Sequence, residues 1–392
     1  MTLPSFSITP FAGRSTLPRV CIIGGGIVGT ATAFFLARAG CPVTLLERDT
    51  VGSRASGVNF GGVRRHGRAA EELPLAIRSR AIWDRLPDLI GHDCDFATPG
   101  HLRLALAEAE LEPLARWAGI GRAYGLTVDL LDAASVRRAY PWLSPDIVGA
   151  SFCAGDGYAN PRLVAPSFAR AARAAGATIL EGHAVTGLVD IPSGGFVLAG
   201  SDGTRHQADI VVNAAGAWSA SLAIQYGASV PIIAEAPQMF VTEPTARRIG
   251  PVLGLVSGGI YLRQTVRGNV IFGGERGTIA PDGLRSRPSE VGFAKTPALM
   301  RQLIPALAHV PLIRSWTGIE GNTPDGLPVI GQCAARLGLL HACGFSGHGF
   351  QMGPGVGETL AELILTGNPG LDLSAFRPDR FAPPPAARVA QH

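Results

Sequence analysis

Residues 19–23 form a short, almost wholly apolar run that leads into Gly24-Gly25-Gly26-Ile27-Val28-Gly29. Residues 30–39 have helical composition and stop at Gly40; residues 42–46 form a second apolar run that ends at Glu47. This is a strand, a helix and a strand in about 30 residues, the size of one βαβ unit. Helical patterns follow over 73–86, 108–124 and 161–175, and strand-like pieces over 100–105, 149–154, 177–180, 196–198 and 209–213. Between about 228 and 320 the pattern changes. Short strand-like pieces at 238–242, 259–263 and 269–273 sit close together between Gly, Pro and Asn turns, which predicts a mostly antiparallel sheet. Residues 337–342 and 354–365 return to a strand and a helix.

The pattern predicts an α/β protein with two interleaved domains, and 392 residues exceed what one compact core holds. A Rossmann-like nucleotide-binding domain takes 19–90, 145–227 and 321–375; a second, α+β domain with a mostly antiparallel sheet takes 91–144 and 228–320. Residues 1–18 and 376–392 are expected to be flexible termini. A ligand is expected between the two domains.

Hydrophobic residues make up 46% and charged residues 16%, with 51 glycines, as suits a buried α/β enzyme with many tight turns. A net charge of +4 with only isolated basic pairs, such as Arg64-Arg65, gives no footprint for nucleic acid. No apolar run reaches the about 20 residues of a membrane span, and the first 18 residues lack a signal-peptide core. The six cysteines have neither CxxC nor zinc spacing and read as reduced thiols of a cytoplasmic protein. His92, Cys94 and His101 lack the spacing of a metal site, so no metal is expected.

Each glycine of the first motif has a separate task. Gly24 turns the chain out of the strand, Gly26 lets backbone N–H groups approach a pyrophosphate, and Gly29 lets the helix pack closely on the sheet. The helix N-terminus adds positive partial charge. Glu47, 18 residues after Gly29, is placed to accept from ribose hydroxyls. A carboxylate there disfavours NADP; the motif alone leaves FAD and NAD both open.

Further segments resemble the D-amino-acid oxidase family of flavoproteins. They are Ser53-Arg54-Ala55-Ser56-Gly57-Val58-Asn59-Phe60-Gly61-Gly62-Val63-Arg64, Asp156-Gly157-Tyr158-Ala159-Asn160-Pro161, Val211-Val212-Asn213-Ala214-Ala215-Gly216-Ala217-Trp218, Asn322-Thr323-Pro324-Asp325-Gly326-Leu327-Pro328 and Gly344-Phe345-Ser346-Gly347-His348-Gly349-Phe350. The resemblance covers most of 19–370 and implies FAD. By it, Ile27 and Val28 lie at the pyrophosphate, and Glu47 and Arg48 at the adenosine ribose. Ala55, Ser56, Phe60, Gly61 and Gly62 run along pyrophosphate and flavin, Val185 meets adenine through its backbone, and Gly216 borders the nucleotide. Phe345, Ser346, Gly347, His348, Gly349, Phe350 and Gln351 wrap the flavin ring. Pro354, read as lying in the first turn of the last helix, leaves the glycine-rich loop's N–H groups free for the ring.

The resemblance also implies oxidation of the C–N bond of an amino acid or secondary amine, of the D-amino acid, opine, hydroxyproline or N-methylglycine class. The product is an imine that hydrolyses. Relatives of the glycine oxidase type carry an arginine before the Thr-Pro-Asp-Gly turn, where this chain has Gly318-Ile319-Glu320-Gly321-Asn322. Sarcosine oxidase types carry a lysine near the position of Gln351, and this chain has none there. Candidates to hold or cap the substrate are therefore Arg64, Tyr261, Arg263 and His348, with Tyr261 and Arg263 on one face of a strand. Glu320 suits a cationic part of a substrate or a hinge. Ser315, Trp316 and Thr317 stand where some relatives place a flavin-linking cysteine, so FAD is expected to be non-covalent. Lys295 is the only lysine, which favours a dehydrogenase over a peroxide-forming oxidase. The electrons then pass to partner subunits or a quinone, in a hetero-oligomer. The alternatives are a glycine- or sarcosine-type oxidase and a non-catalytic flavin subunit.

Overall fold

The computed structural model describes residues 17–192, 194–226, 229–246 and 248–381. Most of each expected terminus, 1–16 and 382–392, lies outside them.

Val20–Ile23 is buried on both faces and lies inside a six-stranded sheet, parallel to Val43–Glu47 on one side and Ile210–Asn213 on the other. Cys21 stands opposite both Thr44 and Val211. Thr178–Glu181 extends one edge in parallel; Leu339–Cys343, parallel, and Val329–Gln332, antiparallel, extend the other. Strands covered on both faces must be apolar throughout, which is why the pattern shows runs and not alternation. The helix Ile27–Arg38 is buried nearly all round, between the helices Pro161–Ala174 and Gly349–Thr366. Gly357 makes this approach possible: a Cβ there would lie 2.6 Å from that of Ala31. Each large aliphatic side chain buried in this core contributes about 1.5–3 kcal/mol.

The second sheet has eight strands in the order Leu312–Thr317, Pro237–Thr242, Val270–Arg276, Tyr261–Gln264, Val252–Leu255, His101–Ala105, Gly149–Cys153 and Val128–Asp132. All pairings are antiparallel except that of Val252–Leu255 with His101–Ala105. Its core stacks Phe240 on Phe272 and is closed by Met300 and Leu303 of the helix Glu290–Leu303.

Three expectations need correction. Gly149–Cys153 pairs within the eight-stranded sheet, so the first insertion runs past 145 to Cys153; an apolar strand does not announce which sheet takes it. Phe376 is buried and Arg380 pairs with Asp325 at 2.8 Å, so residues 376–381 pack on the body of the protein. The last helix begins at Gly349, and Pro354 lies inside it. All six cysteines are free and buried. No described helix is long and apolar enough to cross a membrane.

Candidate functional site

A cavity of about 1000 Å³ takes its walls from both sheets, the 50–64 segment and the 344–350 loop.

At one end it is built by the first βαβ unit. Gly24 holds φ +108°, and a Cβ there would lie 2.4 Å from the Ala214 carbonyl oxygen. Gly26 caps the helix, whose Ile27 N–H donates to Ser56 Oγ at 2.9 Å. The buried Glu47 carboxylate is fixed from two sides, accepting from Gly25 N–H at 2.6 Å and Asp49 N–H at 2.7 Å. Arg48 lies over the Trp218 indole at 4.3 Å. Ile27, Val28, Ala55, Ser56, Phe60, Gly62, Val185 and Gly216 all line the cavity, as do Phe345, Ser346, Gly347, His348, Gly349 and Phe350.

Gly29 has the packing role expected of it, and two expected contacts, Gly61 and Gln351, stand behind the wall. A Cβ on Gly29 would be 2.0 Å from the Gly24 oxygen, and one on Gly61 2.2 Å from that of Ala159; both glycines serve packing. Gln351 is fully buried and donates to the Ala76 carbonyl at 2.8 Å.

At the other end, Arg64, Arg68, Arg103, His101, Tyr261, Arg276, Glu320 and His348 face the cavity. Tyr261 packs edge-on against Phe60 at 5.0 Å. Arg263 sits two positions along the same strand, but its Nε donates to the Phe60 carbonyl at 3.0 Å and its guanidinium covers the Tyr158 ring at 4.4 Å. It braces the segment around Phe60 and is not in the wall. Burial pushes Arg68 down to about 9 and Arg103 to about 10, and the charge of Arg64 adds to both. Arg64 is itself lowered, chiefly by burial.

His348 Nδ1 lies 2.7 Å from the carboxylate of the buried Glu72. Burial and the positive charge of Arg68 push His348 down to about 4, so at neutral pH it is an uncharged imidazole. Burial works against ionised Glu72, but hydrogen bonds from His348 and Ala69 and the nearby Arg68 hold it below its ordinary value. Nδ1 therefore donates to Glu72, and the Nε2 lone pair has no partner among the described residues.

Glu320 begins the short strand Glu320–Asn322, opposite Glu235. Burial raises it to about 7; Arg276 opposes the shift and Glu235 adds to it. An ideal Cβ on Gly347 would lie 3.8 Å from Glu320 Oε1, so the carboxylate borders the 344–350 loop.

His66, His101 and Asp156 come within 4.8 Å of one another. Asp156 already accepts from the Arg65 side chain and from the backbone N–H groups of Arg65 and His66. Arg64 and Arg103 stand close enough to depress the histidines. A cation gains little in such a group. His92 Nδ1 accepts from Cys94 N–H at 2.8 Å, a local turn contact.

Arg68, Arg103 and Glu72 escaped the sequence reading. Signals for the first two existed: Arg68 follows Arg64 by four residues, and His101 and Arg103 alternate on one strand face. Glu72 gave none, since its partner His348 lies 276 positions away.

Four histidines bear on stability, His66, His101 and His341 buried and His348 half-buried. His66 is depressed to about 3, His341 and His348 to about 4, and His101 is also lowered, all chiefly by burial. Below about pH 6.5 the unfolded chain binds protons that the folded chain refuses, so stability falls as pH drops from 6.5 towards 4. Glu320 opposes this with a single proton. Thermal midpoints at pH 7, 6 and 5 are expected to decrease in that order, and a flat series would refute the neutral-histidine assignment.

The glycine cradle, the fixed carboxylate of Glu47 and a cavity reaching from one sheet to the other fit a dinucleotide with its reactive end beneath the second sheet. This is the architecture of a flavin-dependent oxidoreductase. Residues 19–363 match the model of the family described as FAD dependent oxidoreductase (DAO), and the chain belongs to that family. It is 29% identical to glycine oxidase of Geobacillus kaustophilus, over 91% of this chain and 95% of that protein. It is 30% identical to one of the subunits of the opine oxidase of Rhizobium meliloti, over 92% of this chain and 96% of that one. The solved L-proline dehydrogenase of P. horikoshii superposes with a TM-score of 0.86 at 29% identity, over 93% and 98%. The protein is an FAD-dependent oxidoreductase.

Proposed function

We infer that the chain oxidises the carbon–nitrogen bond of an amine that carries a carboxylate, an amino acid or an N-substituted one. Two electrons and two protons leave the C–N unit, and the resulting imine hydrolyses to a carbonyl compound and an amine. The observation that carries this reading is that one cavity brings guanidinium groups without a carboxylate partner and the half-buried Glu320 carboxylate, of pKa about 7, to the same end. Non-covalent FAD supplies the two-electron acceptance; none of the cysteines lines the cavity. Gly24, Gly26, Glu47, Arg48, Ser56 and the 344–350 loop would hold it.

Arg64 offers a paired N–H fork to the substrate carboxylate. Tyr261 and Phe60 close the apolar side and exclude water. Glu320 takes the ammonium proton, so that the amine is neutral when oxidised. The uncharged His348 orients the amine through its Nε2 lone pair. Arg64→Met is expected to raise KM by roughly ten- to a hundredfold with a smaller loss in kcat, since the carboxylate contact exists before and during the reaction. An unchanged KM would place the carboxylate elsewhere.

The opine oxidase relative is by its name one part of a complex, which supports an electron-accepting partner. Lys295 is 67% exposed and lies 3.5 Å from Glu275, outside the cavity wall. That favours a dehydrogenase. Anaerobic mixing with glycine, sarcosine, D-amino acids, hydroxyprolines and opines tests the whole reading: at least one is expected to bleach the flavin. Stoichiometric peroxide on rapid mixing with air would overturn the dehydrogenase assignment alone.

A further inference from the structure

Buried charges in folded proteins are paired, because an unpaired one forfeits its hydration without return. The arginine cluster, in which Arg68 is buried and Arg64 and Arg103 are half-buried, departs from this rule. Arg64, Arg68 and Arg103 face the cavity, yet their hydrogen bonds among the described residues run to carbonyl oxygens only. Arg64 donates to His66, Arg68 Nε to Arg64 at 3.3 Å, and Arg103 to Val256 at 3.5 Å. Arg68 is 3% exposed, and its Nη1 has no partner among them. The acids nearby are engaged. Asp156 is paired with Arg65, and Glu72 accepts from His348 and Ala69. The Glu110 carboxylate, which acts on Arg103 through space, accepts from the Leu106 and Ala107 N–H groups. The three histidines of the cluster are uncharged at neutral pH.

Asp156 is paired with Arg65, and among the described residues neither Glu72 nor Glu110 makes an ion pair with Arg64, Arg68 or Arg103, so three guanidinium groups face the cavity with no carboxylate in contact. A single substrate carboxylate compensates one. Arg103 is the one available for a second: it lines the same cavity, and Gly67, at φ +74°, lies against its guanidinium, where a Cβ would come 2.6 Å from Arg103 Nη1.

We propose that this end of the cavity binds its substrate by two carboxylates, so that the substrate is a dicarboxylate amine. Two forms share this chemistry: an iminodiacid, whose nitrogen joins two carboxyl-bearing carbons, and an acidic amino acid. Arg64 and Arg68 hold the carboxylate nearest the reacting carbon, and Arg103 holds the distal one. This assignment rests on the amine-oxidation reading above and narrows it.

The test uses the FAD-loaded protein and has two readouts. Calorimetry compares matched unreactive ligands, glutarate against butyrate. Anaerobic stopped-flow compares iminodiacetate with sarcosine, and glutamate with norvaline, each amino acid as both enantiomers. The dicarboxylate of each pair is expected to bind, or to reduce the flavin at low concentration, at least tenfold better. The two amine pairs tell iminodiacid from acidic amino acid. Arg103→Met is expected to bring the glutarate-to-butyrate ratio below threefold, and Arg103→Lys to keep part of it. Flavin content and melting temperature report whether each variant folds. If Arg103→Met does not fold, the unaltered protein and Arg103→Lys still decide. Equal binding within each pair overturns the proposal. Amine reduction without dicarboxylate preference removes only the two-carboxylate site. Dicarboxylate binding with no amine reduced removes the amine-oxidation reading and the substrate assignment with it.

Discussion

Replacing Glu320 by glutamine is expected to slow anaerobic flavin reduction at pH 8 by about a hundredfold, within the range of general-base effects, and to erase the rise of that rate through pH 7. The side chain lies in the cavity wall beside the 344–350 loop, on a strand held to Ile233–Glu235. The Glu235 carboxylate opposite it is occupied by Arg276 Nε at 2.8 Å and Asn322 Nδ2 at 2.7 Å, which leaves Glu320, among the described residues, as the carboxylate in the wall at this end of the cavity. Burial raises its folded pKa to about 7. Below that pH the group already carries a proton and cannot accept one from a substrate ammonium. Above it the carboxylate is the competent form, so the rate rises with pH. Glutamine keeps the size and one hydrogen-bond acceptor but removes the proton site. The remaining pH dependence should then follow the free amine. Rates measured between pH 5.5 and 9.5 in both proteins check this, and a variant with the same limb near pH 7 would show that another group takes the proton.

The cofactor end of this molecule was far more legible in the sequence than the substrate end, and the reason is locality. Gly24, Gly26 and Glu47 belong to one βαβ unit, so their spacing along the chain is their spacing in space. The turn geometry that demands Gly24 is contained within a few residues. The substrate end is assembled from the 64–68 segment, a strand at His101–Ala105, another at Tyr261–Gln264 and a short strand at Glu320–Asn322. Their meeting depends on the register of an eight-stranded sheet, which period-2 patterning does not encode. Arg263 illustrates the cost. Its place on the Tyr261 face was readable, but its capture by the Phe60 carbonyl and the Tyr158 ring was not. Gly149–Cys153 joined the other sheet for a related reason, because a buried strand looks alike in either. Pro354 misled in the opposite direction. Proline favours the first turn of a helix, yet here five helical residues precede it, and the small Gly353 and Gly355 on either side pack against Ile27 and Ser79.

Gly26→Val should give a folded protein that purifies nearly colourless, with FAD affinity weakened by about a hundredfold, a loss of roughly 2.7 kcal/mol. The three glycines of the motif differ in what a side chain would meet. On Gly24 or Gly29 a Cβ would lie 2.4 or 2.0 Å from a backbone oxygen, so substitution there strains the fold itself. Gly26 has φ −71° and ψ −178°, a conformation open to any residue. Its ideal Cβ would lie 2.9 Å from Ser56 Oγ, the movable end of a side chain. The added group would push Ser56 off the Ile27 N–H and fill the space beside the helix N-terminus, where an anionic pyrophosphate gains most from free N–H groups and the helix dipole. The fold should persist because the strand, the helix and their contact at Gly29 are untouched. Three measurements check this together: far-ultraviolet circular dichroism like that of the unaltered protein, little absorbance at about 450 nm, and a melting temperature that added FAD no longer raises. In the unaltered protein, FAD at a hundred times its Kd adds about 2.7 kcal/mol of stability, so the missing shift is readily measured. A yellow Gly26→Val variant with ordinary FAD affinity would mean that the pyrophosphate does not lie against this turn.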